Sequence, residues 1–303
     1  MREQYTNKQV REFVTKPLFD EKALLRKDIA FPKITVVTPS YNQKEFLEKT
    51  ILSVLNQNYP NLEYIIIDGG STDGSIEVIK KYERYLGCWL SESDRGQADA
   101  LNKGFTKATG DIIGWQNSDD LYLPNTFMQI AEIFSHNPSI DVLYGNRFDI
   151  DDNDAIIGES RFTKFSKFIF QYEGIALGTQ VTFWKRDIFK KIGLLKIDFH
   201  FALDWEFFLR AGCQGYSFKH VPVYFGAIRR HAGAKTERFI GTTAYQKELD
   251  TVDQWYHTKK WLKPICIIYS LLFRSINYLL QGDADYVIKG LNRRIRNKDL
   301  LNG

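Results

Sequence analysis

The stretch ITVVTPSYNQKEFLEKTILSVLNQNYPNLEYIIID, residues 34–68, decides the fold. Its ends, ITVVT (34–38) and EYIIID (63–68), are nearly unbroken apolar runs rich in β-branched residues, the pattern of strands buried on both faces. Between them Phe46, Leu47, Ile51, Val54 and Leu55 recur at helical spacing across residues 44–57, and Asn58, Pro60 and Asn61 break the helix. Strand, helix and strand of this kind imply an α/β fold with a parallel sheet covered on both sides.

The alternation continues outward from this unit. SIEVIKKYERYL (75–86) reads as a second helix, and QADALNKGFTKATG (97–110) as a third that ends on Gly110 as a C-terminal cap. DIIGW (111–115) is the next strand, and PNTFMQIAEIF (124–134) reads as a helix starting at Pro124. In open α/β sheets ligands bind at the carboxyl ends of the strands. Three loops fall there: PSYN (39–42), DGGSTD (68–73) and NSDD (117–120). Beyond residue 150 the alternation weakens. LDWEFFLRAG (203–212) reads as an amphipathic helix with Gly212 after its end, and FKHVPVYFGAIRRHAG (218–233) as strand and loop.

Composition narrows the classes. A chain of 303 residues with 44% hydrophobic and 26% charged residues is globular, either one large domain or two modest ones. From Trp255 onward nine Lys/Arg face three Asp, a local charge of +6, while the preceding residues carry 32 basic and 34 acidic groups. A basic tail without a nucleic-acid motif points to a membrane surface or a protein partner. The three cysteines, Cys88, Cys213 and Cys266, are odd in number and far apart, which disfavours a disulfide framework or zinc site and fits a reducing compartment. The polar start MREQYTNKQVREF is not a signal peptide, and PICIIYSLLF (264–273) is too short to cross a bilayer. The expectation is a cytoplasmic protein, peripheral at most on the inner face of a membrane.

The adjacent carboxylates Asp119 and Asp120, set between apolar segments, repel one another and demand compensation. They stand three or four residues too early to cap the helix expected at Pro124. Either the pair decorates a solvated turn, or it takes a hard divalent cation, Mn²⁺ or Mg²⁺, which is often held by one or two carboxylates plus substrate phosphates. Asp204, at the start of the 203–212 helix, either favours the helix dipole or serves as a general base. His231, beside Arg229, Arg230 and Lys235, is either a surface histidine or a contact for a diphosphate. The glycine loop GGSTDG (69–74) is no P-loop, because Ser75 stands where the lysine belongs, and no GxGxxG occurs.

Together these segments resemble the family 2 nucleotide-sugar glycosyltransferases of the GT-A fold. The resemblance is carried by residues 34–75, by SESDRGQADALNKGFTKATGDIIGWQNSDDLYLP (91–124), by GTQVTFWKRDIFKKIG (178–193) and by LDWEFFLR (203–210). It implies a Rossmann-like, mixed but mostly parallel sheet flanked by helices, with a C-terminal helical extension. Its boundaries would be a helical lead-in over 1–30, a nucleotide-sugar half over 31–150, an acceptor half over 151–240 and a basic helical extension over 241–303. Pro39, Ser40, Tyr41, Asp68, Asp94, Gln97, Asn117 and Asp119 would hold the nucleotide sugar. Asp120 would take the metal, with His231 near metal or diphosphate, and Asp204 would deprotonate the acceptor hydroxyl.

Two departures from the family pattern stand out. Many relatives have a second aspartate at the position of Gly69, where it contacts the base; Asp68, Asp94 or Asp73 would have to substitute. The Gln-x-x-Arg-Trp of processive synthases is replaced by Ala227-Ile228-Arg229-Arg230-His231. The resemblance therefore implies inverting, metal-dependent transfer of single sugars to a glycan or glycolipid acceptor, in surface polysaccharide or glycolipid synthesis, without a nucleic-acid partner. The segment over 255–303 either lies in a membrane interface or forms a C-terminal helix packed on the domain or on a second copy of the chain. A nucleotidyltransferase of similar fold and a non-catalytic sugar- or nucleotide-binding protein are the competing readings.

Overall fold

The computed structural model describes residues 5–25, 30–174 and 177–288. The end of the basic extension, 289–303, and parts of the lead-in lie outside them. Within the described residues the lead-in contributes two helices, α1 (Asn7–Thr15) and α2 (Glu21–Leu25). Strand β1 (Ile34–Ser40) follows, then α3 (Lys44–Leu55) and β2 (Leu62–Asp68). Every residue of β1 and β2 is buried, as two-sided coverage requires. Alternate residues serve opposite layers: Val37, Ile65 and Ile67 pack on one side, Ile34, Val36, Tyr64 and Ile66 on the other. Helix α3 stops at Leu55, and Asn58 in the left-handed region (φ 49°) turns the chain toward β2.

Next come α4 (Ser75–Tyr82), the half-buried strand β3 (Cys88–Ser91), α5 (Gln97–Lys107) and β4 (Ile112–Trp115). The sequence pattern carries little sign of β3, a four-residue edge strand whose apolar run, Cys88-Trp89-Leu90, is only three residues long. Strands β3, β2, β1 and β4 lie side by side in parallel. Their register aligns Ser40 with Asp68 and Asp68 with Ser91, so the carboxyl ends form one edge.

Past β4 the sheet becomes mixed. The short β5 (Leu121–Tyr122) precedes α6 (Thr126–His136), and β6 (Val142–Ile150) turns back as β7 (Ile156–Ser160). Helix α7 (Lys167–Glu173), β8 (Thr182–Lys185), α8 (Asp187–Ile192), α9 (Leu203–Cys213) and β9 (Phe218–Arg229) complete the sheet, whose order is β3-β2-β1-β4-β8-β6-β9-β5 with β7 on β6. Strand β8 is antiparallel to both β4 and β6, β5 is antiparallel to β9, and β9 runs parallel to β6. Helices α10 (Lys235–Phe239), α11 (Thr243–Trp255) and α12 (Lys263–Leu280) follow.

Several sequence-based boundaries move; the helices read over 44–57 and 75–86 end at Leu55 and Tyr82. Helix α6 begins at Thr126, not Pro124, because Leu121 and Tyr122 first pair with β9 and the turn is made by Asn125 (φ 61°). Gly212 lies inside α9, where an added Cβ would meet the Phe165 ring at 2.6 Å; the left-handed residue past the helix is Gly215 (φ 83°). Gly110 is no helix cap either. Helix α5 ends at Lys107 and Ala108 is already extended. A Cβ on Gly110 would sit 2.7 Å from Thr35 N and 2.8 Å from Lys33 O, main-chain atoms at the start of β1. Neither can rotate away, so Gly110→Ala is expected to lower stability by about 1–3 kcal/mol, read as a lower urea midpoint with an unchanged slope.

Candidate active site

A cavity of about 590 Å³ opens at the carboxyl edge of the sheet. Pro39, Ser40 and Tyr41 from the end of β1 line it, with Asp94 and Gln97 from the β3–α5 connection. Asn117, Asp119 and Asp120 follow β4 into the same space, and Asp204 enters from α9 on the far side. Chain order separates Asp204 from the doublet by more than eighty residues; the sheet brings them to one cleft.

The doublet is built into the frame. Asp120, 2% exposed, accepts a hydrogen bond from Arg229 N (3.0 Å) through Oδ1 and from Asn117 Nδ2 (3.0 Å) through Oδ2. Its main-chain oxygen accepts from Thr50 Oγ1 of α3 (2.9 Å), while Ser53 Oγ and Gln57 Nε2 hold the next residues at Tyr122 N and Leu123 O. Asp119 Oδ2 meets His231 Nε2 at 3.1 Å, and this bond to a carboxylate raises the imidazole pKa. Burial first, and then the Asp119 charge, push the Asp120 carboxyl well above the ordinary carboxylate range; the Arg229 N–H and Asn117 only partly offset this. Two adjacent acids held this way form a site that gains from any added cation.

Arg229 carries little local sign of burial in the sequence, yet it organises the corner. Its guanidinium donates to Asp119 O (3.0 Å), Asp151 O (2.7 Å) and Asp154 Oδ1 (2.7 Å), and lies 4.7 Å from the Phe46 ring centroid. The period-2 alternation of β9 was the available signal, since Ala227 and Arg229 share the buried face.

Asp204 sits in the first turn of α9 with Oδ1 on Trp205 N (2.8 Å). Burial pushes its carboxyl up to about 6, against the opposing N–H bonds and the positive charges of Lys235 and Arg147. The start of α9 is itself fixed by α11: the Glu248 carboxylate accepts from His200 N, Phe201 N and Ala202 N at 2.8–2.9 Å. Lys235, also unflagged as a pocket residue, lines the cavity and donates to Gln97 Oε1 (3.3 Å). Gln97 Nε2 in turn donates to Asn117 Oδ1 (2.9 Å), which links Lys235 to the doublet. Arg229 and Arg230, the other lining residues with fixed positive charge, are paired with Asp154 and Asp149.

Asp68 and Asp94 separate in role. Asp68 is fully buried and accepts from Gly70 N, Ser71 N, Ser71 Oγ and Ser91 Oγ, so it shapes the 69–71 turn behind the cavity wall. Asp94 lines the cavity, and its Oδ2 lies 2.6 Å from where a Cβ on Gly69 would be. That position is also 3.3 Å from the Tyr41 ring. The missing side chain at residue 69 is the space that the Asp94 carboxylate uses.

Residues 35–193 match the sequence profile described as glycosyl transferase family 2. An uncharacterised glycosyltransferase of Mycobacterium tuberculosis is 33% identical over 183 residues, 59% of this chain and 69% of its own length. TuaG of Bacillus subtilis, named for teichuronic acid biosynthesis, is 38% identical over 92 residues, 29% of this chain and 36% of its own. Among solved structures, S. aureus TarS 1–349 in complex with UDP-GlcNAc superposes with a TM-score of 0.59 at 16% identity, covering 76% of this chain and 69% of that one. The mannosyltransferase PcManGT of Pyrobaculum calidifontis, in complex with GDP-Man and Mn²⁺, gives 0.53 at 16% identity over 93% and 87% of the two chains. The shared architecture is the GT-A fold.

The acids dictate how stability responds to pH. Asp120 and Asp204 have folded pKa values above those of an unfolded chain, so the native state holds more protons and loses stability as pH rises. His231, also raised, contributes stability present below its unfolded pKa and lost as pH climbs past the folded one. The three act in one direction. In chelator, unfolding free energy is expected to fall by about 1–3 kcal/mol between pH 5.5 and pH 8, measured by urea titration; a flat or rising profile contradicts the assignment.

Proposed function

We propose that this chain, which belongs to glycosyl transferase family 2, moves one sugar at a time from a nucleoside-diphosphate sugar to a hydroxyl acceptor with inversion at the anomeric carbon. The observation that carries the reading is the opposition of two acidic groups across one cavity: the doublet Asp119-Asp120 on the sheet edge and Asp204 on α9. Family membership replaces the nucleotidyltransferase and non-catalytic readings with a glycosyltransferase enzyme. The similarity to TuaG supports an acceptor in surface polysaccharide or glycolipid synthesis, which in this reading proceeds on the cytoplasmic side.

Carboxylate oxygens at Asp120, supported by Asp119 and His231, fit a hard divalent ion, Mn²⁺ or Mg²⁺. No three His, Cys, Asp or Glu side chains among the described residues converge into a closed metal site. The remaining ligands would then be diphosphate oxygens and water. When bound, such an ion supplies positive charge beside the departing diphosphate. The chain's own residues do the rest. Lys235, whose ammonium is partly buried beside the neutral Gln97, is placed to meet diphosphate oxygens, and burial lowers its pKa. Tyr41 and Asp94 are placed to receive the base, with Asp94 taking the part that Gly69 leaves vacant. Pro39, Ser40, Gln97 and Asn117 complete the nucleotide-sugar wall, and Asp68 contributes by holding the turn behind it.

Glycosyl transfer develops oxocarbenium character at the sugar while the acceptor oxygen attacks. Asp204 takes the hydroxyl proton. A carboxyl held at about 6 is ionised at neutral pH and more basic than an exposed aspartate. The rate with saturating donor is expected to rise with pH through a limb near 6. Asp204→Asn should keep donor affinity and lose about 10²–10⁴-fold in turnover, separated by calorimetry and a product-release assay; full turnover by that variant removes Asp204 from the role. Calorimetry with UDP-, GDP- and dTDP-sugars should show binding that needs Mn²⁺ or Mg²⁺ and disappears in Asp120→Ala. Equal binding with and without the ion would remove the metal from the reading.

A further inference from the structure

Helix α12 (Lys263–Leu280) is built inside out. Its inward side carries the small and polar residues Cys266, Ser270 and Asn277, all buried, with Phe273 partly covered. Polar contacts fix that side: Cys266 Sγ donates to Phe168 O, Arg274 reaches the Glu173 carboxylate at 2.7 Å, and Tyr278 Oη donates to Arg161 O at 2.7 Å. Ile265, Ile268, Leu272, Ile276 and Leu279, spaced three or four apart, point away from the protein and are 52–63% exposed. Leu271 and Leu280 widen the stripe, and Trp255 and Trp261 are exposed before its start. Single exposed apolar side chains are ordinary, but a continuous stripe over four turns marks an interaction surface.

Two observations choose the occupant. At 100° per residue the exposed apolar positions cover about half the helix circumference, wider than the seam of a paired helix and suited to a flat apolar medium. The flanking charge is net positive: from Trp255 onward nine Lys/Arg face three Asp, of which Asp283 is buried against Arg161. Lys259 and Lys260 are exposed beside Trp261, and the sequence after the described residues adds Lys289, Arg293, Arg294, Arg296 and Lys298. A second copy docked face to face would bring identical positive segments together, whereas an anionic lipid surface attracts them. No helix among the described residues is long and apolar enough to cross a membrane.

We propose that α12 lies in the plane of an anionic membrane, its Ile and Leu face in the acyl boundary, Trp255 and Trp261 at the headgroup level and Lys259 and Lys260 near lipid phosphates. The contact is independent of the sugar-transfer reading. The test is flotation of the full chain with vesicles of phosphatidylcholine alone or mixed with phosphatidylglycerol. Wild type is expected to float with the mixed vesicles, less so in high salt and with the neutral ones. The double variant Ile268→Glu/Leu272→Glu, changed at two solvent-facing positions, should partition about tenfold or more weakly while keeping its melting temperature and nucleotide binding. Equal flotation of the variant, or none by wild type, overturns the proposal. So does a wild-type dimer in light scattering that the variant dissociates, which assigns the face to a second copy. Stronger flotation after removing residues 289–303 overturns it too, because the tail would then be the occupant.

Discussion

Holding two adjacent carboxylates together, Asp120 buried and Asp119 half-buried, is the constraint around which the candidate site is arranged. Both leave β4 at the cavity wall, and like charges so close are costly unless each finds donors. The carboxylate partners are Asn117 from the same loop, Arg229 N at the end of β9 and His231 two residues beyond it, while Thr50 of α3 holds the Asp120 main-chain oxygen. Arg229 binds the doublet by its backbone N–H and its guanidinium while pairing with Asp154, itself held by Lys49 of α3 at 2.7 Å. Satisfying one acid thus fastens the parallel half of the sheet to the mixed half.

The same arrangement leaves Asp120 short of positive charge. Its two hydrogen bonds do not cancel burial and the neighbouring Asp119, so its carboxyl retains its proton far more readily than an exposed one. Asp204 is in a milder version of that state, isolated by burial and moderated by Lys235. A cleft with one acid that gains from a cation and another poised to accept a proton has the two capacities glycosyl transfer requires. Glu248 shows how far the support extends. It lies outside the cavity's lining, yet its carboxylate caps the start of the helix that aims Asp204.

Much of this was legible along the chain. The apolar runs of β1 and β2, the helical period of α3 and the acids after β4 are local patterns, and each appears where its spacing put it. Local reading failed where a residue's job is to approach something distant. Gly110 and Gly212 look like helix stops in sequence but serve close contacts with β1 and Phe165. Pro124 looks like a helix start, yet the pairing of β5 with β9 delays α6 by two residues. Strand β3 was hard to see because this short, half-buried edge strand has an apolar run of only three residues and no clear alternation.

The layered α/β architecture and the loops that carry chemistry follow from local pattern, because periodicity and breakers act over a few residues. The departure of Gly69 from the family pattern is local too. Packing in three dimensions sets the rest: Asp68 holds its own turn, Asp94 fills the space beside Gly69, and Arg229 is buried under the doublet. It likewise decided that α12 turns its polar side inward, since hydrophobic period alone does not say which face meets the protein. These outcomes rest on hydrogen bonds and packing between residues up to a hundred or more positions apart, where spacing along the chain carries no information about distance in space.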